Sequence, residues 1–101
     1  MQAEYTAHFT REMGCTPEEL SAWLPGASRG AAIAWVPPDG ACVHLEEQGT
    51  LTLRWVVQPS RRIALITLPR LQVTFDFGQT DTAVRHRFMK HFDLYTQRGG
   101  G

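Results

Sequence analysis

The residues with the greatest chemical potential in this chain are two cysteines and the polar side chains around them. Cys42, His44 and Glu46 alternate along a segment patterned as a β-strand, which puts a thiol, an imidazole and a carboxylate on one side of it. All three are zinc donors, but zinc takes three or four ligands, and only His8 or Cys15 elsewhere could complete the set. The ligand count argues for ordinary polar side chains, so no metal is expected. As a nucleophile and base, Cys42 and His44 would stand about 7 Å apart, two strand rises of about 3.3 Å. That is beyond direct hydrogen-bond reach. No other grouping meets the geometry of a catalytic constellation and no cofactor motif is present, so the chain reads as non-catalytic, with no cofactor.

Cys15 is the sharper thiol. It stands just before Thr16-Pro17-Glu18-Glu19, which spells a helix start: a Thr N-cap, Pro at the first helical position, and Glu19 where a capping box needs it. The positive helix end would lower the Cys15 pKa if the thiol faced it, while Glu18 and Glu19 oppose ionisation. The string Gly14-Cys15-Thr16-Pro17-Glu18 resembles the sulfur-carrier domains whose active cysteine opens their first helix. That resemblance implies a thiol-dependent carrier or redox protein using Cys15. Those domains place proline directly after the cysteine, whereas Thr16 intervenes here and a run of strands follows. The alternative role is a hydrophobic staple, with Cys15 packing on the first helical turn. The end, Gln97-Arg98-Gly99-Gly100-Gly101, is similar to the termini of ubiquitin-like modifiers and sulfur carriers, whose carboxylate is adenylated. In that family a strand leads into the tail and here a helix does, so the glycines are read as a helix stop and residues 97–101 as a flexible tail.

These residues sit in a chain of 101, enough for one domain, assigned to residues 1–96, with a core of its own but without room for a deep ligand cavity. A small ligand is therefore an unfavoured partner. Lys and Arg number 10 and so do Asp and Glu, which removes the electrostatic footprint of a nucleic-acid or anionic-lipid binder. No apolar run approaches the length of a membrane span. The opening MQAEYTAHFTREM lacks the basic start and unbroken apolar run of a signal peptide, so a cytoplasmic location is expected, and two cysteines suit a reducing compartment.

Hydrophobic periodicity supplies the frame. Tyr5, Ala7 and Phe9 alternate with polar residues as a first strand; Leu20, Trp23 and Leu24 give a short helix that Pro25-Gly26 is expected to end; Ala31 to Val36 is a second strand closed by Pro37-Pro38-Asp39-Gly40. From Ala41 to Phe77 alternating residues predict an antiparallel meander. A three-residue loop Glu47-Gln48-Gly49 would pair His44 with Thr52 and Cys42 with Arg54, and loops at Gln58-Pro59-Ser60-Arg61 and Leu68-Pro69-Arg70-Leu71 would separate the later strands. The terminal helix, from about Asp81 to Tyr95, brings Val84, Phe88, Phe92 and Tyr95 within roughly 80° on a helical wheel and sends His86, Lys90 and Asp93 the other way. The fold class is α+β: an antiparallel sheet of five to six strands, a short N-terminal helix and a C-terminal amphipathic helix packed on one face, in the order β-α-β-β-β-β-β-α. That order resembles a miniature helix-grip arrangement, which implies a small hydrophobic-ligand binder as a further alternative.

The pleat divides the meander into two faces. Val43, Leu53, Trp55, Val57, Ala64, Ile66, Leu68, Val73, Phe75 and Phe77 are expected inside. The mixed outer face would carry Cys42, His44, Thr52, Arg54, Thr67, Gln72, Thr74 and Asp76 with the apolar Val56, Ile63 and Leu65; an even Pro37–Gly40 loop would add Ile33 and Trp35. Large apolar side chains on an otherwise polar face mark a partner, unless the first strand or helix covers them. The binding surface read from sequence is therefore Trp35, Cys42, His44, Thr52, Arg54, Thr74 and Asp76, engaged by a protein partner or a second copy.

Overall fold

The computed structural model describes residues 5–45 and 49–98. It has β1 (His8–Met13), α1 (Pro17–Ala27), β2 (Ile33–Val36), β3 (Gly40–His44), β4 (Thr50–Ile63), β5 (Ile66–Asp76) and α2 (Thr82–Arg98). The strands form one antiparallel sheet in the order β1-β5-β4-β3-β2. This is the expected α+β class, with five strands where the full element order carried six. The missing boundary is Gln58-Pro59-Ser60-Arg61, expected as a loop: β4 passes through it with a bulge between Gln58 and Arg61, and the chain reverses at Ala64-Leu65 instead. The reversal is tight because Ala64 takes φ 55. Pro69 lies inside β5 rather than in a turn. Both prolines sit where a strand has no further neighbour, so their missing N–H groups interrupt no ladder across the sheet.

Both helices cover one side of the sheet. Leu20, Leu24 and Ala27 of α1 and Met89 and Phe92 of α2 belong to a single buried cluster with Met13, Ala41, Val43, Leu51, Leu53, Trp55, Leu71, Val73, Phe75 and Phe77. The terminal aromatics pack in rows, Phe9 stacked on Phe75 at 4.8 Å between centroids and Phe75 edge-on to Phe92 at 5.4 Å. The capping box forms as expected: Thr16 Oγ1 accepts from Glu19 N–H at 3.1 Å, and Glu19 Oε1 accepts from Thr16 N–H at 2.9 Å. Pro25-Gly26 does not end α1. The helix runs on to Ala27, with Ser28 as its C-cap, before Arg29 (φ 56) and Gly30 (φ 76) enter the left-handed region. Pro25 stays within the helix, its carbonyl accepting from Gly30 N–H, and a Cβ at Gly26 would strike the Tyr95 ring as it stands.

The α2 stripe is rotated from its expected phase. Met89, Phe92 and Thr96 are buried and Tyr95 is exposed at the α1 boundary, because α2 shares the sheet with α1 instead of lying on it alone. Asp93, expected outward, turns to β1. Its carboxylate accepts from Arg11 Nη1 at 2.7 Å and from the Tyr5 hydroxyl at 2.6 Å. Arg85 adds a second clasp, donating to the Tyr5 and Thr80 carbonyls. These bonds fix the helix layer to the β1 edge.

Candidate interface on the open sheet face

With both helices on one side, the other side of the sheet is left uncovered by the described residues, so neither the first strand nor the first helix shields it. The register sets out its rows. His8, Asp76, Thr52, Cys42 and Ala34 form one row across all five strands; Thr10, Thr74, Arg54, Gly40 and Val36 form the next; Glu12, Gln72 and Val56 follow. Cys42, Thr52, Arg54, Thr74 and Asp76 from the sequence reading therefore stand together, with His44 beside Thr50 at the near end.

Two register expectations change. Cys42 pairs with Thr52 and His44 with Thr50, two residues away from the pairing read in sequence, with Leu45 donating its N–H to the Gly49 carbonyl at 3.2 Å. A slip of two keeps every side chain on its face, so the map survives it. Trp35 is different. The Pro37-Pro38-Asp39 turn holds three residues, Val36 pairs with Gly40 and Trp35 with Ala41, and so Ile33 and Trp35 lie on the helix-bearing side while Ala34 and Val36 take the outer one. Trp35 is 45% exposed at the β2 edge, but it is not part of this face. Glu46 lies outside the described residues, as do Gly99 to Gly101.

The face carries paired charges. Glu12 accepts from Arg70 Nε at 2.8 Å, which holds its carboxyl below the usual range, and Arg61 approaches it at 3.8 Å. Arg54 faces Asp39 at 3.8 Å. Thr10 and Thr74 share a hydrogen bond across β1 and β5. Among the described residues no three His, Cys, Asp or Glu side chains gather as a metal site.

The feature that sequence reasoning missed is the arm. β1 accompanies β5 only as far as Leu71, and β3 accompanies β4 only as far as Arg54, so from Gln58 to Arg70 the two long strands pair with each other alone. The bulge at Gln58–Arg61 matches one extra β4 residue against β5, which brings Arg61 opposite Leu68 and Ile63 opposite Ile66. Counting along β5 from Gln72, Arg70, Leu68 and Ile66 fall on the open side. Ile66 and Leu68, expected inside, thus join Val56 and Ile63 in an apolar stripe that continues the open face, and Thr67 turns over to the other side. Leu65 caps the tip at 93% exposure. The signal was present as aliphatic alternation on either side, Leu51 to Val57 and Ile63 to Leu68; the polar run Gln58-Pro59-Ser60-Arg61-Arg62 disguised the join as a loop.

Cys15 lies on the other side, in the core, 1% exposed. Burial, with Glu19 nearby, pushes its thiol up to about 11. The position is the staple's: Cys15 shares the buried cluster with Leu20, the residue it would meet across the first helical turn. Cys42, half-buried on the open face, is also unbridged.

No helix among the described residues is long and apolar enough to cross a membrane. Compared with family models, with curated proteins and with solved structures, the chain matches none.

Proposed function

We propose that this chain is a small non-catalytic binding protein working through protein–protein contact on the open sheet face, with the β4–β5 arm as its grip and a second copy of the chain as its partner. The observation that supports this reading is the arm's apolar stripe, Val56, Ile63, Leu65, Ile66 and Leu68, which nothing in the described chain covers. A two-stranded hairpin is marginal in water by itself. An aliphatic side chain gains about 1.5–3 kcal/mol on full burial, and four of these five are already about half shielded, so each stripe offers roughly 6 kcal/mol.

A second copy fits better than a partner of opposite charge. The cations Arg54, Arg61 and Arg70 are answered within the chain by Asp39 and Glu12, leaving no strong field of one sign to recruit one. An apolar stripe laid against itself across a two-fold axis is self-complementary. Two stripes together yield on the order of 12 kcal/mol, against about 4–15 kcal/mol of lost freedom, so the dimer is expected at micromolar strength or weaker.

Sedimentation velocity over about 1–200 μM, bracketing that strength, tests this. The expected result is a concentration-dependent shift from monomer to dimer, abolished by Leu65→Glu and unchanged by Lys90→Ala on the opposite layer. A strict monomer throughout that range would remove self-association, and a dimer indifferent to Leu65→Glu would remove the arm.

A further inference from the structure

We propose that the outer edge of β2 is a second interaction surface, independent of the open face, and that it takes up an extended, uncharged, apolar segment of another polypeptide as an added strand. The sheet order leaves β1 and β2 as its edges. His44 N–H bonds the Ala32 carbonyl at 2.9 Å, and the antiparallel register steps from there to Ala34 opposite Cys42 and Val36 opposite Gly40. In such a ladder alternate residues turn both of their backbone groups to the same neighbour. Ala32, Ala34 and Val36 therefore commit theirs to β3, while Ile33 and Trp35 point N–H and C=O away from the sheet. The outward run of donors is bounded on both sides. Ala31 N–H is taken by the Ser28 carbonyl at 3.1 Å, and Pro37 has no N–H.

Outward donors and acceptors at every second residue match an extended backbone, so the occupant is a strand rather than a helix or a small molecule. Its side chains follow from what flanks the edge. No charged residue occurs from Gly30 to Pro38. The occupant meets Trp35 on the helix-bearing side and Ala34 and Val36 on the other, with Trp35 45% and Val36 43% exposed. A charge laid against that surface would lose water and find no opposite charge on β2. The segment that fits is apolar opposite Ile33 and Trp35 and small and uncharged opposite Ala34. The other edges are guarded in the usual ways. β1 carries His8, Arg11 and Glu12, and the arm has Pro59 on β4 and Pro69 on β5, whereas β2 has neither charge nor proline within it. A second copy is a poorer occupant. Self-pairing about Ala34 would join two molecules through strands of 4 residues, against about 20–30 residues a side in a stable interface. A peptide brings only the length the edge can hold.

The test is titration of the isotope-labelled full chain with the acetylated and amidated pentapeptide Thr-Val-Thr-Val-Thr, whose valines fall opposite Trp35 and Ile33, followed by amide chemical shifts and hydrogen exchange. Saturable binding is expected at about millimolar strength. At saturation the Ile33 and Trp35 amides, open to exchange in the free chain, should slow by about tenfold or more, while Ala34, already bonded to β3, should not change. Methylating both valine nitrogens removes the donors and should weaken the peptide at least about tenfold. Methylating the central threonine nitrogen, which faces away from the edge, should be tolerated. Trp35→Lys, an exposed change that sets a charge beside the incoming strand, should weaken the unmethylated peptide about fivefold. No saturable shift up to about 10 mM, shifts without slowing at Ile33 and Trp35, equal weakening by the two methylations, or indifference to Trp35→Lys would each overturn the proposal. So would protection of these amides in the free chain that grows with its concentration, which would give the edge to a second copy. The peptide comparison on the unaltered chain decides the matter even where Trp35→Lys fails to fold.

Discussion

Alkylation of the two thiols separates the binding reading from a carrier reading, because the structure places Cys15 and Cys42 in opposite situations. The perturbation is iodoacetamide at about pH 7.5, where an ordinary thiol of pKa about 8.5 is roughly 10% ionised. With its pKa raised to about 11, Cys15 is ionised to roughly 0.03%, a deficit of about 300-fold. A less acidic thiol gives a more nucleophilic thiolate, and a Brønsted slope of about 0.4–0.5 returns roughly tenfold of that. Acidity alone therefore slows Cys15 about 30-fold relative to an ordinary thiol. Its 1% exposure adds a second factor, since the reagent must wait for the β1–α1 corner to open. The assay is peptide-resolved mass spectrometry over time, on the folded chain and in guanidinium, where the difference should vanish. A carrier cysteine would do the reverse. Native Cys15 labelling faster than Cys42, or faster than a free thiol such as glutathione, would refute both the burial and the staple role built on it.

Other perturbations probe the frame that positions the open face. Asp93→Ala removes the acceptor of two hydrogen bonds, to Arg11 and Tyr5, in a partly exposed pair; the expected loss is about 2 kcal/mol, read as a fall in Tm of roughly 10 °C. Gly26→Ala forces a Cβ into the Tyr95 ring and should cost about 1–3 kcal/mol by chemical denaturation, a cost that Tyr95→Ala in the same chain should largely relieve. Alkaline pH should destabilise the fold with a defined sign. The folded Cys15 pKa is raised, so the unfolded chain loses its proton first; the stabilisation is full below about pH 9, falls as pH rises toward about 11, and should show a shallower decline in Cys15→Ala. Thr16→Ala breaks the capping box and should cost about 1 kcal/mol in a urea titration.

Local signals were legible and connection lengths were not. Thr16 to Glu19 announced a helix start that forms bond for bond, and the alternation of Val43, Leu51, Leu53, Val73 and Phe75 fixed the inner face. A pleat of period two carries over an even error in register, which is why Cys42, His44, Thr52 and Arg54 stayed grouped after the β3–β4 pairing slipped by two. It does not carry over an odd one. The three-residue turn after Val36 moved Trp35 to the helix side, and the bulge at Gln58–Arg61 let Ile63, Ile66 and Leu68 share the outer side. The placement of α1 was equally hidden, since an amphipathic helix states which of its own faces is apolar and says nothing of which sheet face it seeks.

The arm's prolines and arginines bear on how it would be used. A hairpin projecting beyond its sheet exposes two backbone edges, and an open edge invites strand after strand to add. Both edges are interrupted: on β4 Pro59 has no N–H to offer, the bulge breaks the spacing of the ladder, and Arg61 and Arg62 would set like charges beside an incoming copy of the same strand, while on β5 Pro69 likewise has no N–H. What remains is the side-chain face carrying Val56, Ile63, Ile66 and Leu68, which is finite and is used up when one partner covers it. In the proposed assembly the arm therefore closes at two copies. Removing the block with Pro59→Thr together with Arg61→Thr and Arg62→Thr should convert a concentration-dependent dimer into larger, β-rich aggregates that bind thioflavin and sediment at low speed. If that triple variant instead stays a dimer of unchanged strength, the edge is not what limits the assembly, and the account of these residues as guards of the strand edge fails.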